Sequence, residues 1–515
     1  MRVRHRARWR KPAQRRARRL PVALALLVLS ATARAAEAPP ATAPSSAPAT
    51  AGGTPSSAPA TAGGTPSSAP ATGGTQTPGG VDIQGAGAAG AGAAQDRFWS
   101  HLKDIPLGPL RLDFGGQVRL RYEYDDQFLV KGYAPDTHDQ FLVERVMLEA
   151  TLRYGPRARV FLQLRDAHVF GTRLGEADFT GNNPFTDHLD IRQAFAEWLR
   201  IGGSPLGVKV GRQQISYGDQ RVFGPGQWGN TGRWYWDVGM LTLDTDCLAL
   251  DVWAGRPVRS RPEKWPDRPA PDPTAVVAYA RVKRLPLRLD VFYALKYNGK
   301  GDTPGERGAG DLVSSSVGLQ AAGLWRRLDY SGTFVAQLGA YGQDTLRAFG
   351  ASGTLGVTLP LPWQPRLAAL VTWGSGDRNP TDGVHGTFDG VFGGADIMFY
   401  GYLNLFMWAN LRDYEANLHL QPARTLRVHV QYHYFTLDAA RDAWYSTSLK
   451  AVRQDATGAA GIALGHELDA RVIWTLWGRL ELMAGYGRFF PGTFVATTGP
   501  APAANWFFGQ TSYSF

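Results

Sequence analysis

Planar cations, rings and glycines crowd together between Gly211 and Arg233, where the chain reads GRQQISYGDQRVFGPGQWGNTGR. Arg212, Arg221 and Arg233 each carry a guanidinium fork, which can grip a carboxylate through two parallel hydrogen bonds, a geometry the ammonium of Lys cannot offer. The six glycines of the stretch let a backbone fold tightly against a wall, and Asp219 and Asp237 supply counter-charge nearby. Further arginines recur at every second position. Arg119 and Arg121 form one set, Arg145 and Arg153 another, and Arg165 follows in phase with Gln163. From 427 to 435, Arg427, His429, Gln431 and His433 alternate with Val428, Val430, Tyr432 and Tyr434, and Arg471 stands opposite Val472. The chemistry open to such a set is recognition of an anion.

The elements that position these residues are strands. From 112 to 125 one face reads Leu112, Phe114, Val118, Leu120, Tyr122, Tyr124, and the other Asp113, Gln117, Arg119, Arg121, Glu123, Asp125. A two-residue period sends one set to an apolar phase and the other to water. The same alternation returns over 143–154, 287–297 and 467–474. No run of 18 apolar residues occurs after residue 36, so no membrane-spanning helix is predicted. Strands of about ten residues, rimmed by Tyr and Trp, alternate between very short turns (155–157, 285–286, 326–327) and longer polar loops (171–188, 298–311, 374–394, 438–459). That asymmetry, and the need to satisfy every backbone group in lipid, predicts an all-β, closed, antiparallel outer-membrane barrel. Roughly 23 residues per strand and its share of loop gives about 18 strands over 97–515, enough to enclose an aqueous lumen.

The two ends fit that address. Residues 1–36 hold eleven Lys and Arg and no acid, then the short apolar run 20–29 and Ala33-Arg34-Ala35-Ala36, the layout of a cleavable signal peptide. The charge of +11 belongs entirely to that segment, leaving 44 basic and 44 acidic groups, so bulk charge gives no case for a nucleic-acid partner. Residues 37–96 are Ala, Pro, Ser, Thr and Gly with an 11-residue repeat (SSAPATAGGTP from Ser45 and Ser56), predicted to be a disordered tether. The last residues, NWFFGQTSYSF, alternate and finish on Phe515, as outer-membrane barrel strands do. The single Cys247 excludes an intrachain disulfide and a cysteine-rich metal site.

In a barrel the polar faces line the lumen, and arginine rings favour anions while interleaved Glu123, Glu149, Glu467 and Asp469 keep binding weak enough for release. The pore-lining set read here is Arg119, Arg121, Arg145, Arg153, Arg165, Arg212, Arg221, Arg233, Asp237, Arg427, His429 and Arg471. The bland alternative is a wall of salt bridges that only braces the barrel. No serine-nucleophile elbow accompanies His429 and His433, and His466-Glu467 lacks a ligand array, so no enzyme, cofactor or metal is expected. A bulk-filled structural barrel is disfavoured by the charged inward faces.

Gly211-Arg212-Gln213-Gln214 and Tyr217-Gly218-Asp219-Gln220-Arg221, followed by Trp228, Asn230, Arg233 and Asp237, resemble the alginate export family. Phe435-x-Leu437-Asp438-Ala439-x-x-Asp442-Ala443-x-Tyr445, Gly465-His466-Glu467-Leu468-Asp469, Gly485-Tyr486-Gly487 and Phe489-Phe490-Pro491-Gly492 extend the resemblance over about 115–515. It implies an 18-stranded, monomeric barrel with a positive constriction through which a uronic-acid polymer leaves the cell, with outer-membrane lipid and periplasmic export components as partners. Arg212, Arg221, Arg233 and Asp237 carry over from the motif, and Arg119, Arg121, Arg145 and Arg153 as constriction residues. The tether is not part of the family's pattern. An uptake porin for sugars or organic acids is the alternative reading.

Overall fold

The computed structural model describes residues 97–179, 182–226, 228–393 and 399–515; the expected signal peptide and tether lie outside the described residues. Eighteen long strands form the wall: β1 Leu110–Asp126, β2 His138–Tyr154, β3 Ala158–Phe170, β4 Asp187–Trp198, β5 Leu206–Gln213, β6 Trp236–Asp244, β7 Leu248–Arg259, β8 Thr274–Val282 and β9 Arg288–Gly305 make the first half. β10 Gly308–Trp325, β11 Leu328–Tyr341, β12 Asp344–Thr358, β13 Arg366–Gly374, β14 Leu411–Ala423, β15 Leu426–Thr436, β16 Ala463–Leu476, β17 Leu480–Pro491 and β18 Ala504–Ser514 complete it. Each pairs antiparallel with the next, and β1 closes the ring on β18 from Gln117↔Ser514 to Asp126↔Asn505. Closure leaves no strand edge, the condition for a sheet to live in lipid.

Alternation sorts the faces as the sequence pattern requires. On β1, Leu120, Tyr122 and Tyr124 are exposed on the outside while Arg119, Arg121, Glu123 and Asp125 are buried. Leu148, Val210, Leu241, Val317, Leu319, Leu355 and Val472 continue the outward apolar band. At the end with short turns, Tyr154, Trp198, Trp325, Trp363 and Trp477 stand exposed beside them, an aromatic belt suited to the membrane–water boundary. The chain end is fixed at this same rim. Gly116 and Phe515 exchange backbone hydrogen bonds of 3.1 and 3.0 Å, and the Trp99 ring stacks on Phe515 at 4.5 Å.

The opposite rim departs from expectation in one place. Residues 298–311 form no open loop: β9 and β10 continue through them, with an irregularity between Asn298 and Thr303, and turn at Glu306-Arg307. The expected loops 171–188, 374–394 and 438–459 fall in the long connections 171–186, 375–410 and 437–462; 214–235 and 260–273 are long as well, and 214–235 and 375–410 fold down into the barrel.

An arginine on the lipid face tests this orientation. Leu319→Arg, at mid-strand on the outward side of β10, is expected to cost about 2–4 kcal/mol of stability in bilayers. Denaturant titration in liposomes measures it; Gln320→Arg, one residue on and facing inward, should cost less.

Candidate substrate channel

The stretch 214–235 enters the lumen because its glycines permit it. Gly226 and Gly232 have φ of +61° and +79°, and a Cβ on Gly232 would stand 3.0 Å from the Arg192 guanidinium. The segment Trp228–Thr231 then lies along the inward faces of β1 to β4 and presents backbone oxygens to a row of arginines. Arg121 donates to the Trp228 carbonyl at 2.8 Å, with its guanidinium 4.0 Å from the centre of the Trp228 ring. Arg119 lies 3.1 Å from Asn230 Oδ1 and 3.4 Å from the carbonyls of Trp228 and Gly229. Arg165 and Arg192 both donate to the Thr231 carbonyl, Arg192 at 2.7 Å. Arg145 is the fifth buried guanidinium of this group and donates to Gln117 at 2.8 Å. Carboxylates also reach the row: Glu123 lies 2.7 Å from Arg121, and Asp187 and Asp267 stand beside Arg165. Several arginine donors are thus satisfied by neutral oxygens of a loop, where a carboxylate would bind more strongly.

The second in-folded segment, 375–410, supplies the apolar filling. Phe388, Phe392, Tyr400, Tyr402, Leu403, Leu405, Phe406 and Trp408 are all buried. Phe392 packs edge-on to Trp236 at 4.9 Å, and its amide donates to the Val222 carbonyl at 3.2 Å. Trp234 Nε1 donates to the Gly393 carbonyl at 3.1 Å, so the two segments grip each other inside the lumen. Arg221 sits at that junction, ringed by Phe399, Tyr400 and Trp408 at 4.7, 5.3 and 5.8 Å, and reaches Thr372 Oγ1 at 3.3 Å. Arg233 donates to the Thr447 carbonyl at 2.5 Å; burial pulls its pKa down to about 10, which leaves it charged at neutral pH.

The remaining expected residues separate into three places. Arg153 faces inward near the short-turn rim, bound to Asp113 at 2.7 and 3.1 Å, a brace at the vestibule. Arg427, His429 and Arg471 face inward on the neighbouring wall, with Arg427 3.6 Å from Glu481 and Arg471 3.1 Å from His429. Arg212 and Asp237 require a correction. They form a bidentate pair at 2.8 and 3.1 Å, but lie on the side-chain face shared with Val210 and Leu241, which is the outside. Their register partners confirm it: Arg212 faces Asp237, while the adjacent pair Gln213↔Trp236 is buried inward. The strand register, invisible in a motif rich in glycine, turns this pair away from the lumen. There Arg212 ties down the connection 260–273 through the Asp267 carbonyl at 2.7 Å. The Asp267 carboxyl is pushed up to about 7 by burial and by the neighbouring Asp187 and Asp190.

Two groups escaped the sequence. Arg192 lies at the irregular register between β3 and β4, where alternation fails, and the plug of 399–410 shows itself only as an aromatic run without a period. The grip between segments is testable at Gly393. A Cβ there would fall 1.9 Å from the Arg221 carbonyl, so Gly393→Val must push the segments apart. Its open-state conductance in planar bilayers should exceed that of the unaltered chain several-fold; an unchanged conductance would show that the current takes another path.

No curated protein sequence matches the chain. Among solved structures, the barrel is similar to Pseudomonas aeruginosa OccK2 (OpdF) in complex with glucuronate, at 10% identity and a TM-score of 0.52 over 78% of this chain and 98% of that one. It is also similar to the outer membrane protein opdK of the same organism (11%, 0.52, 78% and 98%) and to Acinetobacter baumannii OccAB2 (12%, 0.52, 78% and 98%). At such identities the likeness is one of fold. Residues 110–508 match the family described as alginate export, from the first wall strand into the last, and the chain is a member of that family, an outer-membrane β-barrel channel.

Proposed function

We propose that this channel passes an anionic saccharide of the uronic-acid class, and that Arg119, Arg121, Arg145, Arg165 and Arg192 are its principal binding row. The observation that carries the reading is the row's bonding: guanidinium groups on β1 to β4 bind carbonyls of Trp228, Gly229 and Thr231. Those carbonyls occupy positions that carboxylates spaced along a polymer could take in turn. Planar forks favour carboxylates in two-point fashion, and a partial negative oxygen is exchanged for a full negative charge. Glu123 and Asp187 share the row and offset its attraction, which keeps any one site weak enough to release its ligand. Arg221, at the junction of the two segments, and Arg427 and Arg471, lower on the wall with His429 accepting from Arg471, extend a cationic path toward the short-turn rim. Membership of the alginate export family and the glucuronate held by a barrel of the same fold support the same substrate class.

Single-channel recording tests it. The refolded barrel should be anion-selective by reversal potential and should be blocked by an oligouronate at concentrations at least tenfold below those needed for a neutral oligosaccharide. Arg121→Ala with Arg165→Ala should abolish that difference. Equal block by both sugars would contradict the reading; equal block by monomeric and oligomeric uronate would assign the barrel to small-solute uptake instead.

A further inference from the structure

On the neighbouring wall, on the β18 side of the arginine row, β14, β15 and β16 bring four carboxylates and one imidazole together, all of them buried: Asp413, Glu415, His433, Glu467 and Asp469. His433 Nδ1 lies 3.0 and 3.2 Å from the two oxygens of Asp413. With one proton held there, release of the other would leave an Nε2 lone pair facing the interior of the cluster. That nitrogen is buried and has no hydrogen-bond partner; its nearest carboxylate oxygens are Asp469 Oδ2 at 3.8 Å and Glu415 Oε1 at 4.0 Å. Glu467 Oε2 and Asp469 Oδ1 are likewise buried without partners. The spacing is too long for direct hydrogen bonds. Asp413, Glu415 and His433 each bring a ligand atom within 4.8 Å of the others, close enough for one ion to draw ligands onto itself.

We infer that His433 Nε2, Glu415 and Asp469 form a binding site for a first-row transition dication of the Zn²⁺ type, with Asp413 orienting the imidazole. One imidazole among carboxylates selects such an ion over Ca²⁺ or Mg²⁺, which prefer an all-oxygen shell. An aspartate on the far nitrogen of a liganding histidine is the usual second partner that fixes ring and tautomer. A dication also answers the electrostatic problem of the cluster, since buried carboxylates carry their charge only where positive charge stands beside them. The other triad of buried carboxylates, Asp187, Asp190 and Asp267, contains no imidazole and lies beside Arg165 and Arg212, so it does not share this fit. The site touches the plug. Tyr402 N donates to Asp469 Oδ2 at 3.2 Å and Leu403 N to Glu467 Oε1 at 2.9 Å, so an ion held here fastens the 399–410 segment to the wall.

The full-length barrel, refolded, stripped with EDTA and dialysed against Zn²⁺, is assayed for metal by mass spectrometry, with heat-modifiable gel migration reporting the folded state. The expected result is one Zn²⁺ per chain, with affinity reduced at least tenfold in His433→Ala and in Glu415→Gln. Asp413→Asn should weaken it about 10–100-fold, as removal of an orienting partner does. If His433→Ala fails to refold, the two carboxamide variants, which keep side-chain volume, decide. Asp190→Asn in the other triad should bind as the unaltered chain does. Zn²⁺ should also slow amide exchange over 399–410. No retained ion, retention unaffected by all three cluster variants, or loss in Asp190→Asn alone would overturn the inference. Metal content is read without transport, so this result stands or falls independently of the substrate.

Discussion

The hydrogen-bonded seam between β1 and β18 is the contact on which everything else rests. A sheet in lipid cannot leave a row of backbone donors and acceptors open, and the ten register pairs from Gln117↔Ser514 to Asp126↔Asn505 remove the last edge. Once the ring is closed, the strand period has only one solution: apolar side chains outside, polar ones inside. The interior is therefore the reverse of a soluble protein's core, and its charged groups must find partners within the barrel. Glu123 illustrates the economy of that requirement, accepting from Arg121 at 2.7 Å and from Trp506 of the closing strand at 3.1 Å.

The arginine row meets the requirement differently from the rest of the wall. Arg153, Arg366 and Arg412 each find a carboxylate within 2.7 Å and form stable braces, a contact that Arg121 and Arg165 also make with Glu123 and Asp187. Arg119, Arg121, Arg165 and Arg192 draw several of their partners from one folded-in segment of backbone. A neutral carbonyl satisfies a guanidinium hydrogen without neutralising its charge, so the segment covers the row without cancelling it. The segment is held as well by Asn230, whose side-chain amide donates to the Glu144 and Phe185 carbonyls at 2.8 Å, while Phe392 packs against Trp236 to join it to the second segment.

How much of this could be read from the chain depends on whether the information was local. The barrel was legible, because alternation is a property of neighbours in sequence: the inward and outward sets on β1 fall where the pattern assigns them. Strand number followed from length, and the short-turn rim from Gly155 and Arg326-Arg327. The sense of Arg212 and Asp237 was not legible, since a glycine with φ of +123° precedes Arg212 and only the register with β6 fixes the face. Arg192 was hidden by the irregular β3–β4 register. The plug and the His433 cluster were hidden for a deeper reason: both are assembled from parts of the chain far apart in sequence, which composition and spacing do not join.

In the proposed channel Trp228–Thr231 holds the places of the substrate's charges. The most direct measurement is a spin-label distance between Gly229→Cys and Asp302→Cys on the outer hairpin, with Cys247 replaced by Ser. A Cβ at Gly229 finds no neighbour closer than 3.7 Å, so the cysteine itself is accommodated there. Adding an oligouronate should shift the distance distribution to a second population, and a neutral oligosaccharide of the same length should not. A distribution unmoved by the oligouronate, at concentrations that block the current, would mean the segment is a fixed part of the wall and the arginines beneath it serve only to hold it.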